Sequence, residues 1–487
     1  MKLTPAQLDR ACGAMLGTAI GDALGAAYEF GLAKVGHEGP RMLGGGLGGF
    51  APGEWTDDTT MAWCILDVAA TGADLRTEEA LTQIARRFRD WYDSRPPDIG
   101  NQTRRVLGAA GAEPTGATMT ATSYDLHAQT GHTAGNGSLM RTAPVALPHL
   151  DDPFAVAEAA SRIGAMTHYD QHAQEACVLW SLAIRHAILH GELDVRAGLG
   201  YLDGDARAYW TKRIDEAEQS DPSRFRPNGW AVTALQAAWS AIVHTPVPTG
   251  THACGHLADS LATAIGIGDD TDTVAAIAGA LLGARWGASA VPAEWRRISH
   301  GYPGLAGERL VELAHLAANK GPGVYDWPAV EYIDYSSYCS PKTLVRHPYD
   351  DGVWLADASA LDDLPDDVTA VVSLCLVGSA QIRPGIEHVN YRLIDHADPA
   401  VNPNLDFMLT DAARTVATLR DDGHVVLIHC VAAHSRTPTV GIAYAMLRGI
   451  DRAEASDSVC GYFRRRIPTL GSVLHSNASK SRDFALE

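Results

Sequence analysis

Three short stretches of this chain concentrate the residue types that do chemistry. The first is Gly266-Ile-Gly-Asp-Asp-Thr-Asp-Thr273, which sets Asp269, Asp270 and Asp272 at the mouth of the apolar run Val274–Ala284. The second, Thr56-Asp57-Asp58-Thr59, repeats the pattern ahead of the apolar run Met61–Ala70. One or two acids at a helix start cap its N–H groups and suit its dipole. Three crowded acids exceed what a cap needs, because close carboxylates raise one another's pKa unless a cation offsets them. No Lys or Arg follows the first stretch before Arg285. If the two helix starts pack side by side, four or five carboxylates face one another, and a pair of hard divalent cations is the natural compensation. An all-oxygen ligand set of Asp and Thr favours Mg²⁺, Mn²⁺ or Ca²⁺ over zinc. The third stretch is His429-Cys430-Val-Ala-Ala-His-Ser435-Arg436-Thr437. A Cys-x5-Arg loop between a strand and a helix makes a cradle of backbone N–H groups for a phosphate. The helix N-terminus and Arg436 add positive potential, and that field favours a thiolate nucleophile at Cys430.

These stretches need helices and strands to hold them. Thr4-Pro5 opens the first helix, which runs through Leu8, Met15, Leu16 and Ile20 toward Tyr28. A glycine-rich loop, Gly44–Gly49, leads to the Thr56 stretch. Helical patterns follow at Met61–Ala70 and Leu81–Tyr92, with a short one at Arg104–Ala110 inside the Gly, Thr and Pro rich span Pro96–Met140. They return at Phe154–Ile163, His172–Leu189, Gly229–His244, Ala258–Ile265, Val274–Trp286, Pro292–His300 and Gly307–Ala318. Strand-like alternation is scarce, so residues 1–322 read as an all-α domain. After Lys320-Gly-Pro-Gly323 the pattern changes. Val368–Leu376, Val425–His429 and Gly352–Leu355 read as strands, while Leu405–Leu419 and a segment from Arg436 to Gly449 read as helices. The expectation is a multidomain chain, with an α/β domain over 327–487.

Composition narrows the partners. The net charge is 39 − 58 = −19, which argues against nonspecific binding to nucleic acid or to an anionic membrane. Asp9 and Asp22 interrupt the first segment, so it is not read as a signal peptide. The run Val274–Ala284 is too short to span a bilayer. Eight scattered cysteines suggest reduced thiols and a cytoplasmic protein.

The motifs together resemble a known family. They are Gly21-Asp22-Ala-Leu-Gly25 with Glu29, Trp55-Thr-Asp-Asp-Thr59 with Met61, and Gly135-Asn136-Gly137-Ser-Leu-Met140-Arg141. Thr167-His168, Gly268-Asp-Asp270-Thr-Asp272-Thr273 and Gly279-Ala-Leu-Leu-Gly283 complete the series. In this order they resemble the ADP-ribosylglycohydrolase family, of the type that activates dinitrogenase reductase, over residues 8–290. The resemblance implies an all-α fold holding two Mg²⁺ or Mn²⁺ ions. It implies Thr56, Asp57, Asp58, Asp270, Asp272 and Thr273 as metal ligands, and leaves Asp269 outside because the family usually has Gly there. Glu29 matches an acid beside the metals. Asn136 and Gly137 match the loop that holds ADP-ribose, and His168 matches a position near the ribose. Pro97-Asp98-Ile-Gly100 resembles a segment of members that release ADP-ribose from arginine, where the residue matching Asp98 is proposed to act in the chemistry. Cleavage at the ribose anomeric carbon passes through an oxocarbenium-like state. A dinuclear metal would orient ribose and water, with Glu29, Asp57 or Asp98 moving the proton.

The third stretch resembles the active loop of dual-specificity-type cysteine phosphatases, over about residues 350–475. The resemblance implies Cys430 as nucleophile forming a phosphocysteine, Arg436 as phosphate clamp, and Ser435 or Thr437 aiding departure of the thiolate. Asn390-Tyr-Arg-Leu-Ile-Asp395-His-Ala-Asp398 offers the general acid, with spacing from Tyr391 favouring Asp398 over Asp395. Two departures stand out: Ala433, where the family has Gly, and His434. The combined expectation is a bifunctional hydrolase acting on ADP-ribosylated protein or an ADP-ribosyl small molecule, with a phosphorylated substrate at the second domain. The alternative is a phosphatase or phosphate-binding module regulated by ADP-ribose bound to a non-catalytic helical domain.

Overall fold

The computed structural model describes residues 2–250, 252–323, 327–339, 342–398 and 400–466. Residues 340, 341, 399 and 467–487 of the expected C-terminal domain lie outside the described residues. The chain divides into two compact units, Met1–Val291 with Trp295–Pro322, and Pro292–Glu294 with Gly323–Glu487.

The first unit is helical. Helix α1 (Pro5–Gly25) starts at Thr4, which exchanges hydrogen bonds with Gln7 at 3.3 and 2.9 Å. A 3-10 turn, Ala26–Gly31, carries Glu29. Then come α2 (Asp57–Ala69), α3 (Glu78–Asp93), α4 (Asn101–Ala109), α5 (Gly116–Thr130), α6 (Pro153–Ala165) and α7 (Gln171–His190). They are followed by α8 (Gly204–Gln219), α9 (Ala231–His244), α10 (His256–Ile267), α11 (Thr271–Trp286) and α13 (Gly307–Ala318), while the single turn α12 (Ala293–Arg296) has residues in both units. A two-stranded ribbon, β1 (His300–Gly301) against β2 (Leu305–Ala306), occupies part of the segment expected to be helical from Pro292 to His300. Among the described residues no helix is long and apolar enough to cross a membrane.

Helices α1 and α11 form the centre. Every residue of α1 from Ala11 to Gly25, and of α11 from Thr271 to Ala284, is buried. Their facing stripes are glycines four residues apart: Gly13, Gly17, Gly21 and Gly25 on α1, and Gly279 and Gly283 on α11. A Cβ at Gly17 would lie 2.1 Å from the Gly279 carbonyl oxygen, and one at Gly283 would lie 1.9 Å from that of Gly13. Residues four apart share a helix face, so the stripe lets the two backbones touch along their length. On another side of α11, the Trp180 indole N–H from α7 donates to Ile277 O at 3.0 Å.

The second unit carries a five-stranded sheet. Its strands are β3 (Leu344–His347), β4 (Asp350–Asp357), β5 (Ala370–Ser373), β6 (Glu387–Asn390) and β7 (Val426–Cys430), in the order β3-β4-β7-β5-β6. The last four are mutually parallel, and β3 is an antiparallel edge. Helices α14 (Leu405–Asp421), α15 (Arg436–Leu447) and α16 (Arg452–Arg466) complete it. All five residues of β7 are buried, as a central parallel strand requires. Cys430 pairs with Asp357 of β4, and His429 with Ser373 of β5, so three strands end at one level.

Several elements exceed the sequence expectation. Helix α5 buries only Gly116, Met119 and Ser123, leaving no apolar stripe to read. Helix α8 is mostly polar, burying Ala206, Trp210, Ile214 and Ala217. Strands β3 and β6 are short and half-buried, so neither shows a continuous apolar run.

The glycine stripe makes a testable demand. Gly279→Ala forces its Cβ against Gly17 O and costs about 1–3 kcal/mol, the usual penalty of overpacking. Gly266→Ala on α10 meets nothing within 4 Å and leaves stability equal or slightly higher. Thermal melts of the two variants measure the difference.

Candidate active site

Six acids converge where α1, α2 and α11 meet. Ligand oxygens of Asp22, Asp58 and Asp272 lie within 4.8 Å of one another, and so do those of Glu29, Asp270 and Asp272. Asp272 belongs to both trios. Asp57 adjoins them at the first turn of α2, accepting a hydrogen bond from Gly100 N at 3.3 Å. Burial, then mutual repulsion, pushes Glu29 up to about 8, with Asp270 its strongest neighbour, and Asp57 up to about 7, with Asp98 its strongest. Asp58 and Asp272 rise well above the ordinary range for the same reasons. Asp98 is raised too, by burial first and then by Asp270.

The sequence motifs include Asp22 without assigning it a role. It sits on α1, yet both its oxygens serve the start of α2. They accept from Thr56 N at 3.0 and 3.1 Å, and Oδ2 also accepts from Thr59 N at 3.0 Å and Thr59 Oγ1 at 2.6 Å. A capping carboxylate supplied by another helix locks α1 to α2 at the cluster. Burial nonetheless holds Asp22 at about 6. The signal in sequence was a lone acid between glycines in an apolar helix. Its role emerges only from the pairing with Thr56 and Thr59.

Asp58 is buried, and Thr56 Oγ1 donates to its Oδ2 at 3.1 Å. Its Oδ1 is buried without a hydrogen-bond partner. Thr273 adjoins the same carboxylate. An orphaned carboxylate oxygen among acids and hydroxyls fits a hard cation. The oxygens within ligand distance of one another, those of Asp22, Asp58 and Asp272 and of Glu29, Asp270 and Asp272, make a donor set that suits a divalent ion, and Thr56, Asp57 and Thr273 of the expected ligand set adjoin it.

Asp269 stands apart. Its backbone takes φ +63°. Its carboxylate pairs with Arg226, whose Nε donates to Oδ2 at 3.0 Å and whose Nη2 donates to Oδ1. The basic partner that the local sequence lacks thus arrives from 43 residues away. The Asp269 carbonyl accepts from Phe30 N at 2.7 Å, which fixes Glu29 beside Asp270.

The Asn136 loop closes one end of the array. Asn136 Nδ2 donates to Asp270 Oδ2 at 2.7 Å and to Asn228 O at 3.2 Å. Asn228, buried and absent from the sequence reading, accepts from Asp270 N at 3.0 Å and donates to Gly268 O at 3.0 Å. His168 lies beneath the loop, where Cβ atoms at Gly135 and Gly137 would meet its ring at 3.3 and 3.1 Å. The ring is buried and held neutral by burial first and by Arg141 second. Its Nδ1 shares a hydrogen with Thr167 Oγ1 at 2.8 Å, and Arg141 Nη2 donates to that same hydroxyl at 2.7 Å. His168 therefore backs the loop glycines.

At the Asp57 end, a cleft of about 390 Å³ opens. Thr56, Asp57 and Asp98 line it together with Trp55, Trp91 and Tyr302.

In the second unit, Cys430 ends β7, and the loop after it leads into α15. Ala433 takes φ +55°, the left-handed conformation that favours glycine. Arg436 is buried, with Nη1 donating to Leu374 O at 2.9 Å and to Leu393 O at 2.6 Å. Its Nη2 meets Asp395 Oδ2 at 3.4 Å, and its Nε has no partner. Asp398, favoured by spacing, is exposed, as is Asp395, and its Oδ1 accepts from Ala400 N at 2.9 Å. Thr437 Oγ1 donates to Ala356 O at 3.2 Å, which leaves Ser435 as the hydroxyl not committed to that strand. His429 is buried and falls to about 3 through burial, hydrogen-bonded to Ser373 Oγ at 2.7 Å.

Comparison with known proteins bears on the first unit above all. The sequence pattern of the ADP-ribosylglycohydrolase family matches residues 3–324. ADP-ribosylarginine hydrolase Tri1 of Pseudomonas putida (strain GB-1) is 35% identical over 298 residues, covering 60% of this chain and 75% of its own. ADP-ribosyl-[dinitrogen reductase] glycohydrolase of Rhodospirillum rubrum is 30% identical over 297 residues, covering 60% of this chain and 90% of its own. Dual specificity protein phosphatase 22-A of Danio rerio is 32% identical over 100 residues, 20% of this chain and 46% of its own. With a helical unit built around this acidic array and a family match over residues 3–324, the chain belongs to the ADP-ribosylglycohydrolase family.

Proposed function

We propose that the helical unit is a divalent-metal-dependent hydrolase that removes ADP-ribose from modified protein side chains, arginine foremost, or from related ADP-ribosyl compounds. The observation that carries this reading is the acidic array around the unpartnered Asp58 Oδ1. The relatives named for arginine-linked ADP-ribose and for dinitrogen reductase give it a substrate class. Two Mg²⁺ ions, or Mn²⁺ in their place, suit ligands that are all oxygen. When bound, such ions supply the positive field that offsets the carboxylates, orients the ribose hydroxyls and acidifies a nearby water. The chain's own residues do the rest. Asn136 and Gly137 form the loop that holds the ADP-ribose, Asn136 tying it to Asp270 through its amide, and His168 keeps that loop in place. Asp22 holds the Thr56–Asp58 turn against α1. Glu29, Asp57 and Asp98 are the carboxyls placed to take a proton from water and return one to the departing side chain. Arg226 keeps Asp269 out of the array.

We further propose that the second unit is a cysteine-dependent phosphatase of the dual-specificity type. Support comes from the buried Arg436, anchored by two carbonyls while its Nε stays unpartnered beside a Cys-x5-Arg loop. The 100-residue likeness to a dual-specificity phosphatase points the same way. Cys430 Sγ would attack phosphorus, the leaving oxygen would take a proton from an acid of the 395–398 loop, and water would then cleave the phosphocysteine. The contact with Arg436 favours Asp395 for that acid, the spacing Asp398.

Metal and mutation test the first reading together. With an arginine-linked ADP-ribosyl peptide, release requires Mg²⁺ or Mn²⁺ and stops in chelator. Asp58→Asn and Asp272→Asn lower it by at least about 100-fold, a loss typical of disturbed metal centres. Calorimetry adds a second readout: Mg²⁺ raises the melting temperature of the native chain and not of Asp58→Asn. Unchanged release in chelator would sink the proposal.

The second reading turns on Cys430. Cys430→Ser abolishes hydrolysis of p-nitrophenyl phosphate and leaves ADP-ribose release at the native rate. Hydrolysis surviving in that variant removes the phosphatase assignment.

A further inference from the structure

The cleft at the Asp57 end has no role in what precedes. Thr56, Asp57 and Asp98 reach both the acidic array and this cleft. Asn136, Gly137, His168, Glu29 and Asp270 are not among its lining residues. The array is thus approached from two ends: the glycine loop attached to Asp270, and the cleft attached to Asp57. A substrate joined at the ribose anomeric carbon has two parts, and the reacting bond must lie over the array between them.

The walls of the cleft have a definite chemistry. Tyr302 offers a half-buried aromatic face, braced edge-on by Trp63 at 5.8 Å, whereas Trp55 and Trp91 are almost wholly covered by protein. Asp57 and Asp98 stand at the inner end. The only basic side chains lining it are Arg95 and His300, both exposed at the rim. An aromatic face beside two carboxylates suits a planar cation, which stacks on the ring and hydrogen-bonds to the acids in its own plane. A neutral hydroxyl-bearing side chain can donate to one of the acids but gains no cation–aromatic contact.

We propose that this cleft holds the side chain from which ADP-ribose departs, and that Tyr302 makes it selective for a guanidinium over a neutral acceptor. The inference rests on the hydrolase reading and adds to it the specificity-determining wall. Tyr302 lies in the His300–Gly304 turn, outside the stretches that carry the family motifs.

The test uses the full-length chain with Mg²⁺ and two peptides of one sequence, ADP-ribosylated on arginine or on serine. The native protein prefers the arginine-linked peptide. Tyr302→Ala lowers the arginine-to-serine ratio of kcat/KM by roughly five- to tenfold, mostly through KM, as loss of one cation–aromatic contact predicts. Tyr302→Phe keeps the ring and restores the ratio, which separates wall chemistry from a folding defect. An equal fall for both peptides in Tyr302→Ala overturns the specificity role. Native release from serine alone, still dependent on Mg²⁺, overturns the inference and leaves the hydrolase reading standing. Release from neither peptide overturns both.

Discussion

The helical unit depends on two helix backbones meeting with no side chain between them. Four glycines on α1 face Ala275, Gly279, Gly283 and the N-terminal turn of α11, and at each position an added Cβ would strike backbone. The contact fixes more than distance. Gly21 meets the Ala275 carbonyl and Gly25 meets the backbone of Asp272, so α1 cannot slide along α11 by a residue. Thr271 Oγ1 seals the register by donating to Gly25 O at 2.8 Å. Asp22, one step along α1 from the glycine face, is thereby placed within ligand distance of Asp272 and Asp58. A device that draws apolar helices together here aims three acids at one point.

Such a point is electrostatically costly, and the surroundings divide that cost unevenly. Asp22 is compensated by two N–H groups and a hydroxyl, and Asp270 by the Asn136 amide, while Asn228 holds the Asp270 backbone by accepting from its N–H. Asp269, next in sequence, is withdrawn altogether by Arg226. Asp58 keeps one oxygen with no protein partner. Arg141 comes nearest to a buried counter-charge, yet its guanidinium is spent on Thr167, Ile163 O and the face of Phe88 at 4.8 Å. The protein thus satisfies the acids at the edge and leaves those at the centre short of positive charge. That distribution is what a cation site needs, and a purely structural acidic turn does not need it.

How much of this was legible in the sequence follows from where each residue sits. Asp57, Asp58, Asp270 and Asp272 open apolar helices, so their excess over capping needs was visible as a pattern. Asp22 lies mid-helix, and its partners Thr56 and Thr59 are 34 and 37 residues away. Asn228 precedes a helix with no motif around it, and Arg226 is invisible as a partner because only the fold carries it to Asp269. Tyr302 belongs to a turn after the last helix of the motif series. In the second unit the buried strands β5 and β7 announced themselves by continuous apolar runs. The half-buried β3 and β6 did not, although they set the edges of the sheet. The Cys430 loop was legible because strand, loop and helix are contiguous. The position of Asp395 against Arg436 was not, because it depends on how the segment after β6 turns at Arg392, whose φ is +43°.

Ala433 shows how far a departure from a familiar pattern matters. Glycine suits a left-handed position because it has no Cβ, yet what an anion meets in such a loop is the direction of the N–H groups. The structure holds Ala433 at φ +55°, the conformation a glycine would take, at a cost of about 1–2 kcal/mol for a residue with a Cβ. The residue is fully buried within the apolar cluster under the sheet, so packing of the methyl offsets part of that cost. The same cluster contains Val440 and Tyr444 of α15, which fix the helix whose first residue is Arg436. Backbone direction, helix terminus and guanidinium are therefore set by packing around the loop and not by the identity of its third residue. A sequence rule written as glycine is, in physical terms, a rule about φ, and here alanine meets it.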